Sequence, residues 1–187
     1  RRRQRPRSGG PPPDGGCRRV RSPSVRRSRR STRGAHRPSR LEAAKLVGDK
    51  GRVYCIDIQK DLLAKIKNAA AKEHLFNIEV IWGDIEKLGG TRLKDFSIDA
   101  VIVSNLLFQI KEKAALANEV RRILKPKGKV LVVDWSDSFG GLGPEQASVV
   151  TKEGAVALFK KVGFALDKDI FAGDHHYGLI FKLEKQS

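Results

Sequence analysis

From residue 41 onward the chain alternates strand-like and helix-like patterns, and its last two strand patterns lie too close together for a crossover. Residues 52–58 and 77–82 read as strands, and 98–103 is a short continuous apolar run of the kind covered on both faces. Leu62, Leu63, Ile66, Ala69 and Ala70 fall on one face of a helix over 60–74, and Leu116, Val120, Ile123 and Leu124 on one face of a helix over 111–124. Pro126-Lys127-Gly128 reads as a turn into a strand over 129–134. Thr151 is placed to cap a helix striped by Ala155, Leu158, Phe159 and Val162, with Gly163 ending it. Strands over 164–171 and 176–183 then follow, joined by only four residues, Ala172-Gly173-Asp174-His175. Parallel neighbours need a long connection, so these two must be antiparallel. The expected fold is α/β, a doubly wound, Rossmann-like and mostly parallel sheet that ends in an antiparallel hairpin.

The formal net charge of +17 is unevenly spread. Residues 1–40 hold 15 Arg, no Lys and a single acid, Asp14, whereas residues 41–187 hold 4 Arg, 19 Lys and 20 acids. The first segment has no Leu, Ile, Phe, Trp or Tyr and is rich in Arg, Ser, Pro and Gly. Such a composition cannot offset the entropy of ordering, so a disordered leader (1–40) before a folded domain (41–187) is expected. The abrupt switch from Arg to Lys, in a chain without Met, is what a reading-frame error or artificial junction near 38–42 would produce. An inert tail and an arm for RNA or another polyanion are the other two readings. Cys17 and Cys55 form no disulfide framework or zinc cluster, which suits free thiols in a reducing, cytoplasmic setting. No run approaches the roughly 18 apolar residues of a membrane span, and no metal site is expected.

Ligands of open α/β sheets bind at the carboxyl ends of the strands. One such end is Asp57, followed by Ile58; its carboxylate can accept both hydroxyls of a ribose or else cap the next helix. The next is Gly83-Asp84-Ile85, where an acid can accept from a purine amine while Ile85 packs on the ring, or simply build a turn. Ser104 and Asn105 follow the third buried run directly, beside the expected small molecule.

In order and spacing these segments resemble the class I S-adenosylmethionine-dependent methyltransferases, in the small bacterial and archaeal branch near the ubiquinone/menaquinone-biosynthesis enzymes. Gly51–Ile58 is similar to that family's second strand with its ribose-binding acid, Trp82-Gly83-Asp84-Ile85 to its adenine-contacting segment, and Asp99–Asn105 to its fourth strand. Glu119–Lys129 is similar to the helix-turn leading into strand five. The resemblance implies S-adenosylmethionine as cofactor, held by Asp57, Ile58, Gly83, Asp84, Ile85, Ser104 and Asn105, and an unidentified acceptor, with a small molecule favoured. It also implies a central first strand and a glycine-rich loop just before Leu41. Residues 31–40 contain neither, so the first strand is expected to be missing or altered and activity impaired.

Because the sulfonium activates the methyl group, the protein mainly aligns the reactants. A base is needed only if the nucleophile must lose a proton, and the candidates are His175, His176 and Tyr177 in the hairpin. Trp135, Asp137 and Phe139 are placed to shape the substrate entrance, and residues 140–144 read as a loop. A nicotinamide-dependent oxidoreductase also uses an acid after its second strand, but the terminal hairpin and the lack of a Tyr-x-x-x-Lys motif argue against it. A non-enzymatic RNA-binding protein would rely on the arginine arm. Deleting residues 1–40 is then expected to abolish salt-sensitive RNA retention; unchanged retention removes the arm reading.

Overall fold

The structure, a computed structural model, describes residues 40–139 and 143–184. Of the leader expected over 1–40, residues 1–39, Cys17 among them, lie outside the described residues, as does most of the loop over 140–144, whereas Arg40 belongs to the first helix. The elements are α1 (Arg40–Val47), β1 (Val53–Asp57), α2 (Lys60–Lys72), β2 (Ile78–Trp82), β3 (Ile98–Ser104), α3 (Lys113–Ile123), β4 (Leu124–Trp135), α4 (Lys152–Lys161), β5 (Phe164–Phe171) and β6 (His176–Leu183).

Two sheets result. β1 and β2 pair in parallel, and a second sheet runs in the order β3-β4-β6-β5. β3 and β4 are parallel, while β6 is antiparallel to both β4 and β5. The expected terminal hairpin is thus present. The division leaves β1 and β3 each with one edge unpaired among the described residues.

One expectation is corrected. The 98–103 run is not covered on both faces among the described residues: Ile102 is 47% exposed, whereas Val103 is buried. Successive side chains of a strand point to opposite faces, and only the face carrying Val101 and Val103 meets the main core. Pro126-Lys127-Gly128 is likewise not a separate turn before a strand; it lies within β4. The residues bulge there, since Ile98 pairs with Leu124 but Ala100 with Lys129. A Cβ on Gly128 would fall 2.9 Å from the Asp99 carbonyl oxygen, so only glycine fits this close approach.

The main core lies between the larger sheet and α3 and α4. Leu116, Val120, Val130, Val132, Phe159, Phe164, Leu179 and Phe181 are all fully buried. Phe159 stacks on Phe181 with ring centroids 4.8 Å apart and meets Phe164 edge-on at 5.6 Å. α4 starts as its sequence signals, with the Thr151 hydroxyl accepting from Gly154 N–H at 3.1 Å. Gly163, at φ +82°, closes the helix.

The smaller sheet joins the rest through the loop that follows β2. Glu86 accepts from the N–H groups of Lys111 and Glu112 at 3.1 and 2.9 Å, capping the start of α3. One and two turns further on, Glu119 is fully buried. Its carboxylate accepts from Gly89 N–H at 2.7 Å, Thr91 N–H at 3.1 Å and the Thr91 hydroxyl, and Arg122 closes on both oxygens at 2.8 Å. Arg122 also reaches the Leu93 carbonyl at 2.9 Å and pairs with Asp95. The loop is therefore laced along α3 by polar groups. Asn77 fixes the other end of the smaller sheet by donating to the Ala44 and Gly48 carbonyls, which end α1.

Burial alone would raise the Glu119 pKa, but the hydrogen bonds from Arg122, Thr91 and Gly89 outweigh it and hold the carboxyl at about 2, below its ordinary 4.5. A depressed folded-state pKa adds stability above the unfolded value and loses it as pH falls through the folded one. Stability from this group is therefore expected to decline between about 4.5 and about 2. Glu119→Ala leaves Arg122 and two N–H groups without their acceptor, and is expected to cost about 3–5 kcal/mol in urea denaturation at neutral pH.

Candidate active site at the strand tips

All four parallel strands end at sequence positions rich in polar groups. β1 and β2 run in register with Asp57 opposite Trp82, so Asp57 and the Gly83-Asp84 loop start at neighbouring tips. Gly83 N–H donates to the Asp57 carbonyl at 3.2 Å. One side-chain oxygen of Asp57 accepts from Gln59 N–H at 2.9 Å, turning the chain into α2. Its other oxygen has no hydrogen-bond partner among the described residues. Ile58 follows, 59% exposed, and the Trp82 indole donates to its carbonyl at 3.0 Å.

Asp84 is more heavily engaged. One oxygen accepts from Glu86 N–H at 3.0 Å and the other pairs with Lys87 at 3.1 Å. The Lys87 hydrogen bond, followed by that from Glu86, lowers its pKa. Residues 84–90 form a closed turn, with Asp84 N–H donating to Gly90 and Gly90 N–H to Lys87. Both Asp57 and Asp84 therefore have local turn roles at the tips where the sequence placed them. Ile85 is half-buried and packs against the main core.

At the third tip Ser104 is half-buried, and Asn105 takes a left-handed backbone with φ +51°. Asparagine tolerates that conformation better than most residues. Its N–H donates to the Val133 carbonyl at 2.8 Å, but its side-chain carbonyl oxygen is buried with no partner. A strained residue holding an orphaned acceptor is a common mark of a ligand site.

Asp134 was missed as a site-building residue. It is 1% exposed, and one of its oxygens accepts from Leu106 and Leu107 N–H at 2.9 and 2.8 Å. The other accepts from Trp135 N–H at 2.9 Å. This carboxylate holds the turn carrying Asn105 against the end of β4. The only available signal was an acid ending the apolar run Leu131-Val132-Val133.

The three hairpin candidates separate in the structure. Tyr177 is 6% exposed and packs into the core. Burial, then Asp134 and Glu153, push its hydroxyl pKa up, so it stays protonated at neutral pH and is unsuited to act as a base. The His176 ring packs on Trp135 with centroids 4.2 Å apart. His175 instead meets Asp137, with Nδ1 2.9 and 3.1 Å from its two carboxylate oxygens.

Gly83 is needed at its tip: a Cβ there would lie 2.4 Å from the Gly90 carbonyl oxygen. Gly83→Ala is expected to open the 84–90 turn and lower stability by about 1–3 kcal/mol, measured by thermal or urea unfolding.

Comparison with known proteins places these features in a family. The family model described as a methyltransferase domain matches residues 40–163. An arsenite methyltransferase of Halobacterium salinarum is 29% identical over 92 residues, covering 49% of this chain and 23% of the relative. A demethylmenaquinone methyltransferase of Bacillus mycoides is 26% identical over 122 residues, covering 65% of this chain and 47% of the relative. The chain thus spans less than half the length of either curated relative. Among solved structures, a SAM-dependent methyltransferase from Aquifex aeolicus shares the fold with a TM-score of 0.68, at 23% identity, over 75% of this chain and 73% of that one.

Proposed function

The chain belongs to the methyltransferase-domain family, and from that premise we propose that it transfers a methyl group from S-adenosylmethionine to a small-molecule acceptor. One observation carries the reading: β1 and β2 end side by side at Asp57 and at Gly83-Asp84, and β3 ends at Asn105, whose buried side-chain oxygen has no partner. A nicotinamide oxidoreductase is set aside by the family match.

The donor set fits the cofactor's chemistry. Asp57 has an oxygen available for a ribose hydroxyl, with the exposed Ile58 next to it. Asp84 would accept from the adenine amine, sharing its charge with Lys87, while Ile85 offers apolar contact and Gly83 lets the turn close. Ser104 and Asn105 would hold the methionine end, the Asn105 oxygen accepting from its ammonium group. Residues 31–40, where the resemblance would put a glycine-rich loop for that end, carry no such sequence. When bound, the cofactor supplies an activated methyl group on a sulfonium. The protein's own part is to hold the reactants aligned and keep water out.

A small acceptor agrees with the names of the relatives, one of which is an arsenite and the other a demethylmenaquinone methyltransferase. No helix among the described residues is long and apolar enough to cross a membrane. Cys55 is a buried free thiol, as suits a reducing cytoplasmic setting.

Asp57→Asn keeps the acceptor for Gln59 N–H and removes the negative charge. It is expected to weaken S-adenosylmethionine binding by about 1–3 kcal/mol, roughly 5- to 150-fold, in calorimetric titration. Unchanged affinity removes Asp57 from the site, and a wild-type chain that binds no cofactor refutes the function.

A further inference from the structure

We propose that His175 is the general base of the reaction, positioned by Asp137, and that the acceptor presents a weakly acidic hydroxyl; the assignment rests on the methyl-transfer reading and deepens it. Ser136 N–H donates to the His175 carbonyl at 3.0 Å, joining the hairpin to the continuation of β4. Asp137 then approaches the imidazole Nδ1 with both oxygens. A carboxylate can only accept, so Nδ1 carries a proton, and in the neutral ring the lone pair is then on Nε2. Nε2 has no hydrogen-bond partner among the described residues, and the His175 side chain is 34% exposed. Phe139 stacks on the same ring at 4.0 Å and an interplanar angle of 23°, fixing its plane.

The location suits a base. Trp135 pairs with His176 across β4 and β6, and Asn105 N–H bonds to Val133, so the histidine lies two strands from Asn105 at the same end of the sheet. Two strand spacings are about 10 Å, enough for a small acceptor to lie between them. The charged groups nearest the imidazole in the chain are Asp137 on the β4 continuation and Asp174 on the hairpin, with His176 adjacent.

The hydroxyl class follows from the chemistry. A thiol ionises readily near neutral pH, and a neutral amine attacks first and sheds its proton afterwards, so neither depends on a base as a hydroxyl does. A neutral hydroxyl is a poor nucleophile until its proton is removed. In the step proposed, the acceptor O–H bond breaks and its proton passes to Nε2. The oxygen lone pair forms the new bond to the methyl carbon. The carbon–sulfur bonding pair leaves with sulfur as a neutral thioether, and the imidazolium returns its proton to water.

Three measurements on the full chain test this. Calorimetry with S-adenosylhomocysteine should give the same affinity for wild type, His175→Gln and Asp137→Asn; no binding by wild type brings down the methyl-transfer reading and this one with it. Nitrogen NMR of the imidazole at mildly alkaline pH should find Nε2 unprotonated in wild type and a mixture of tautomers in Asp137→Asn. A wild-type proton on Nε2 overturns the base assignment alone. Finally, phenol and 4-nitrophenol, the latter already ionised at the assay pH, are supplied as acceptors with S-adenosylmethionine. His175→Gln should lose on the order of 10²–10⁴-fold more activity towards phenol than towards the nitrophenolate, and Asp137→Asn a smaller excess. Equal losses on both acceptors, no loss on phenol, or a cofactor-binding wild type that methylates neither, overturns the proposal.

Discussion

The buried carboxylate of Glu119 is the point on which the two halves of the molecule depend. A charge taken out of water is costly unless every lone pair is matched, and here Gly89, Thr91 and Arg122 all donate to it. Among the described residues the two sheets share no strand pairing, so the polar lacing between α3 and the loop after β2 holds together what a continuous ladder would otherwise join. It also determines where Asp84 sits, because that residue belongs to the same loop. Structural stability and the geometry of the nucleoside side of the site thus have a common origin.

Much of the architecture was legible in local patterns. The helical stripes of α2, α3 and α4, the Thr151 cap, the Gly163 stop and the terminal hairpin depend on neighbours a few residues apart, and each is where the sequence put it. Local patterns misled where distant residues decide. The apolar β3 run signalled two covered faces, yet among the described residues only the face carrying Val101 and Val103 meets the main core, and Ile102 is exposed. Glu119 reads as an ordinary helix-surface acid until Thr91, 28 residues earlier, closes on it.

The candidate site was legible only at its strand tips. Asp57, Asp84 and Asn105 stand out in the sequence because a strand ending in polar residues points to the binding edge of an α/β sheet. The pairing of Asp137 with His175 was not legible, since these residues are 38 positions apart and meet only after the hairpin folds back beside β4. Asp134 was hidden for the same reason: its partners, Leu106 and Leu107, donate backbone groups that carry no residue signature.

The position of β6 has a consequence for how the chain is made. It follows every other strand in sequence, yet lies between β4 and β5 and supplies hydrogen bonds to both. A nascent chain emerging from the ribosome therefore holds β4 and β5 without the strand that joins them until residues 176–183 have appeared. The larger sheet must assemble after synthesis of that segment rather than progressively, and a cut within the hairpin would leave β6, the strand that bonds β5 to β4, as a separate peptide.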